Sequence, residues 1–182
     1  MLLMKDILDE KDKRLREKSK EVIFPLSDET KKTVSSMIEF LTNSQIDELA
    51  EKYDLRPGMG LAAIQLGIKE RYFVVVHEYD EGLFDNYVIF NPKLVSNSEE
   101  IIYVGDGEGC LSVNRDTQGI VPRYARITVE GFDEEGRKIR IRAREELAVA
   151  FQHELDHLDG ILFTDKIDSK NPFKNKDKYR EI

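Results

Sequence analysis

Two imidazoles one helical turn apart, with a carboxylate beside the first, form an arrangement suited to metal-assisted hydrolysis. The chain carries it in Gln152-His153-Glu154-Leu155-Asp156-His157. On a helix, His153 and His157 share one face and can bind a single ion, while Glu154 can exchange protons with water beside that ion. The chain has 3 histidines, so this pair stands against a small background. The remaining one, His77, reads as structural.

A hydrolytic metal site needs a third protein ligand and an open position for water. The metzincin pattern would put a histidine at position 163, where the chain has Phe163, although Gly160 fits that pattern. A thermolysin-like site would take a downstream glutamate, and Glu181, near the end of a polar tail, is a poor candidate. Cys110 remains, in Glu108-Gly109-Cys110-Leu111-Ser112, where neighbouring glycine lets the backbone come close. Alone, a cysteine is more often a small buried hydrophobe; beside a two-histidine helix the ligand reading prevails. As the single cysteine it forms no intramolecular disulfide. The segment Gly58-Met59-Gly60-Leu61-Ala62-Ala63-Ile64-Gln65 reads by itself as a flexible loop entering a small-residue helix or turn, and its Gly-x-Gly is too short for a phosphate site.

Positioning these segments falls to the elements around them. Ser27-Asp28-Glu29-Thr30 reads as a helix start, with Val34, Met37, Ile38 and Leu41 following at helical spacing. A second helical stretch, 46–53, ends before Arg56-Pro57-Gly58. Tyr72–Val76 and Tyr87–Phe90 read as buried strands, the latter stopped by Asn91-Pro92, and Ile101–Val104 as a third. Arg126–Glu130 and Lys138–Arg142 flank a turn at Asp133–Gly136 as a hairpin with one exposed face. Residues 144–159 form a last, apolar helix with Gly160 as its left-handed cap, and residues 6–20 a short exposed helix or an arm lying on the body. The expected class is α+β, with mostly antiparallel sheets packed around a central C-terminal helix that carries His-Glu-x-x-His. Residues 1–165 are expected to be a single catalytic domain, followed by an irregular or mobile polar tail, 166–182.

At 182 residues and 40% apolar content there is material for one core. A net charge of -8 argues against direct nucleic-acid binding. The apolar start, Met1–Met4, is too short for a signal peptide, and no stretch could span a bilayer, so a cytoplasmic protein without membrane contact is expected. Nothing in the sequence sets an oligomeric state.

In this order, Gly58–Gln65, Glu108–Ser112 and Gln152–His157 resemble the three signature motifs of peptide deformylases, in the class with longer insertions. The likeness runs from Asp6-Ile7 and Arg16 through Asn91-Pro92 and Val121-Pro122-Arg123 to Gly160. Ile64 and Lys13 stand where many members have proline. The amphipathic C-terminal helix by which some members dock on the ribosome is missing. The resemblance implies hydrolysis of the N-terminal formyl group of formyl-methionyl nascent polypeptides, with release of formate, at a divalent ion held by Cys110, His153 and His157. Iron(II) is the expected native ion, with zinc, nickel or cobalt able to replace it. Glu154 would shuttle the proton, while the Gln65 side chain and the Leu111 N–H would hold the oxyanion. Met59, Gly60, Gly109, Val149 and Ala150 would line the pocket for methionine, and Glu108 with Arg123 would support the cysteine loop.

Overall fold

A strand buried on both faces reads as an unbroken apolar run, and Tyr72-Phe73-Val74-Val75-Val76 opens such a strand, β2 (Tyr72–Asp80). In the computed structural model, which describes Met1–Ile182, Tyr72, Val74 and Val76 face one core and Phe73 and Val75 the other. The first core is closed by α1 (Asp28–Ser44) through Val34, Met37, Phe40 and Leu41. The second is closed by α3 (Glu145–Leu158) through Ala148, Phe151 and Leu158. Ser27 Oγ caps α1 by accepting the Thr30 N–H, and α2 (Asp47–Tyr53) leads into the loop before β1 (Gly60–Ala62).

The main sheet is antiparallel, in the order β1, β2, β3 (Leu83–Asn97), β6 (Arg126–Phe132), β7 (Lys138–Arg144). A small second sheet joins β5 (Arg123–Tyr124), β4 (Ile101–Tyr103) and β8 (Arg180–Glu181). Helix α3 packs against both sheets, its Val149 meeting Ile102 and Ala125 on the smaller side. Gly160 follows it with φ +75°, directly against the Arg16 carbonyl, where no side chain has room.

Two expectations give way. Asn91-Pro92 does not end β3: the strand continues to Asn97, and the pair sits in an irregularity between Phe90 and Lys93. Proline lacks a ladder donor, so it is tolerated where the register shifts. Asn91, at φ 48°, spends its side chain on the backbone N–H and carbonyl of Val22. Nor is the tail irregular throughout: much of 166–182 is turns and bends, but it holds a short 3-10 turn at Lys176–Lys178 and then β8, which runs parallel to β4. Arg180 there donates to Glu100 at 2.7 Å and to both Glu145 oxygens at 2.9 and 2.7 Å, tying the start of α3 to the approach to β4. The N-terminal arm is extended along the body, with Leu15 fully buried.

Candidate metal centre

The packing of α3 on two sheets sets its rotation, and that rotation presents His153 and His157 to the segment after β4. Cys110 Sγ and the two imidazoles offer ligand atoms within 4.8 Å of one another. The sulfur is 3.3 Å from His157 Nε2 and receives the Ser112 N–H at 3.4 Å and Gln65 Nε2 at 3.7 Å. His153 meets Glu108 Oε1 through Nδ1 at 2.9 Å, which leaves Nε2 as its free nitrogen.

Arg123 grips both Glu108 oxygens through Nε and Nη2, at 2.8 and 2.9 Å, and reaches Asp156 Oδ2 through Nη1 at 2.6 Å. Arg123 and Glu108 are almost completely buried, with side-chain exposures of 2% and 4%. A continuous chain of charge-assisted bonds therefore runs from Asp156 through Arg123 and Glu108 to His153. Burial raises the Glu108 carboxyl, but the bonds from His153 and Arg123 outweigh it and hold it down to about 2. Burial also opposes a charged His153, yet Cys110 and Glu108 overcome this and hold the imidazole well above its ordinary value. A second charge is rejected: burial, then the neighbouring His153 charge, holds His157 well below its ordinary value. The two imidazoles thus hold no more than one positive charge between them. One sulfur and two ring nitrogens suit a borderline divalent ion, so the residues fit a metal.

Glu154 lies beside this cluster, buried, with Oε2 unpartnered. Burial pushes its carboxyl up to about 7, against the pull of the His153 and Arg123 charges. Gly60 makes the close approach possible, because any Cβ there would collide with the Glu154 carboxylate. Gln65 sits in the 3-10 turn Ala63–Leu66 after β1, where its Oε1 accepts the Ala62 N–H at 2.9 Å. That bond turns Nε2 toward Ser112 Oγ, at 3.1 Å, and toward the sulfur. The Leu111 N–H donates to no group of the protein.

A cavity of about 520 Å³ opens over the cluster, and Met59, Gly60, Gly109, Val149 and Ala150 all line it, together with Gln65, Cys110, Leu111, His153 and Glu154. Glu108 borders it as well, whereas His157 and Arg123 do not. His77 lies outside, near Glu146 at 3.8 Å, and Glu181 is engaged by the Tyr103 hydroxyl at 2.8 Å. Three contributors escaped the sequence reading. Asp156 stands within the histidine motif, so a carboxylate at that place was the available signal. Gln152 clamps Tyr124 through both its N–H and its carbonyl at 2.9 Å. Arg56 carries no motif signal at all.

The model of the polypeptide deformylase family matches residues 4–173. The peptide deformylase of Halalkalibacterium halodurans is 50% identical over 178 residues, spanning 97% of this chain and 97% of its own length. Peptide deformylase 2 of Bacillus subtilis is 50% identical over 174 residues, 96% of this chain and 95% of its own. Among solved structures, the peptide deformylase of Thermus thermophilus superposes with a TM-score of 0.74 at 33% identity, covering 91% of this chain and 86% of that one. With the geometry of the cluster and this likeness along nearly its whole length, the chain belongs to the peptide deformylase family.

Proposed function

We propose that the hydrolysis of N-formyl peptides, the reaction that belongs to this family, is carried out here by one catalytic domain, residues 1–165, in which Glu154 moves the protons and Gln65 and Leu111 hold the oxyanion. The observation that carries this reading is the unpartnered, buried Glu154 carboxylate beside the Cys110, His153 and His157 cluster. One divalent ion on those three residues, iron(II) natively with zinc, nickel or cobalt able to substitute, supplies Lewis-acid activation.

Glu154 takes a proton from the attacking water as its oxygen bonds to the formyl carbon. It returns that proton to the departing amine as the C–N bond breaks, leaving formate and a free N-terminus. A carboxyl held near 7 suits both transfers at neutral pH. The Gln65 amide and the Leu111 N–H donate to the formyl oxygen as it gains charge, and each such donor is worth about a hundredfold or more in rate. Glu108 and Arg123 hold the ring of His153 in place.

Met59, Gly60, Gly109, Val149 and Ala150 wall a pocket for the methionine side chain, so the substrates are formyl-methionyl nascent polypeptides, met at the ribosome in the cytoplasm. No helix is long and apolar enough to cross a membrane. The test is formate release from a short formyl-methionyl peptide by protein purified without oxygen and with its metal counted. Metal-dependent release is expected; cleavage of an unblocked peptide instead would make the chain a general metallopeptidase.

A further inference from the structure

The residue just before the glycine motif is anchored on the cysteine loop. Arg56 Nη1 donates to the Val113 carbonyl at 3.0 Å, and Nη2 donates to the Cys110 carbonyl at 3.4 Å and to the Leu111 carbonyl. Its Nε is buried without an acceptor, so the protein bonds of the guanidinium all go to these carbonyls. Three carbonyl dipoles converging on one place repel each other. A planar, delocalised cation with a fixed fork of donors can hold them together, and a lysine ammonium cannot reach them in the same way. Besides Arg56, the Cys110 carbonyl receives only the Val113 N–H, at 3.0 Å, while the Glu10 N–H holds the Ser112 carbonyl at 2.7 Å and the Ser112 N–H turns to the Cys110 sulfur.

The planarity of the peptide bond gives this anchor a consequence. The Cys110 carbonyl and the Leu111 N–H belong to one rigid unit, so fixing the oxygen fixes where the hydrogen points. A cationic donor on that oxygen also polarises the N–H on the other side. The Leu111 N–H has no acceptor in the protein, and Leu111 borders the cavity. Gly58, two residues beyond Arg56, leaves room for the Leu111 side chain, which a Cβ there would strike.

We propose that Arg56 is a positioning residue for the Cys110–Leu111 peptide, aiming and polarising the Leu111 N–H toward the developing oxyanion. The inference rests on the role given to Leu111 in deformylation. Arg56 also lines the cavity, and a direct contact with the peptide would move KM, whereas positioning moves kcat.

The experiment compares the unaltered protein with Arg56→Ala and Arg56→Lys, each loaded with metal and assayed for formate release from a formyl-methionyl dipeptide. Positioning requires kcat per bound metal to fall about 10- to 100-fold in both variants, with KM within about threefold. Millimolar guanidinium should restore part of the rate to Arg56→Ala and none to Arg56→Lys. An unchanged kcat per metal, or a loss confined to KM or to metal content, overturns the proposal. If the alanine variant does not fold, Arg56→Lys decides by the same criteria. Absence of formate from the unaltered protein would instead overturn the deformylation reading, and this inference with it.

Discussion

The Glu154 carboxylate is buried with one oxygen unpartnered, a costly arrangement that a purely structural glutamate would not retain. Replacing it with glutamine should therefore leave metal binding intact and lower kcat by about 10² to 10⁴ fold. Metal analysis and formate release on the same sample check both halves. The base is competent only when ionised, and burial holds its carboxyl at about 7, so kcat/KM should decline as pH falls through that value. A flat profile from pH 6 to 8 would exclude Glu154 from the titrating step. These residues were legible because helical spacing alone unites His153, Glu154 and His157. Arg56 was not, because its partners are the carbonyls of residues 110–113, which carry no side-chain signature.

Among the elements, α3 is held in register by a buried ionic chain as well as by its apolar contacts. Arg123→Met would remove the buried cation that joins Glu108 to Asp156, leaving them only His153 and the part-exposed Lys166, and breaking such a buried pair costs about 3–5 kcal/mol. Arg115→Ala removes a pair to Glu10 whose arginine is 55% exposed, worth less than about 1 kcal/mol. Urea unfolding of the two variants should separate them, and equal losses would show that Arg123 contributes no more than a surface charge. Helix boundaries and the apolar β2 run could be read from sequence, since capping, periodicity and β-branched content are local properties. The continuation of β3 past Pro92 could not. Its cause is the neighbouring β6, which accepts a strand whose register has shifted.

For the molecule as a whole, the tail is the element that composition concealed. Arg180-Glu181 has no strand propensity of its own and becomes β8 only because β4 offers it an edge. The Arg180 clasp holds the carboxyls of Glu145 and Glu100 below their ordinary range, with Arg126 assisting at Glu100. A carboxylate with a lowered folded value stabilises above its unfolded value, near 4.3, and loses that contribution as pH falls through the folded one. The tail should therefore loosen on acidification below about 4.3. Faster hydrogen exchange at the Ile182 amide, which donates to the Tyr103 carbonyl, would report it. Arg180→Ala should show that fast exchange already at pH 7, and protection equal to the unaltered protein's would dismiss the clasp.

The same strand bears on the order in which the protein is made. Residues 180–182 are synthesised after everything they clamp, so the chain between β4 and Cys110 waits for its last neighbour until translation has passed Ile182. A copy still being elongated has α3 and β4 but not the Arg180 clasp between Glu145 and Glu100. An enzyme proposed to work on nascent chains thus lacks one of its own ties until residues 180–182 have been made.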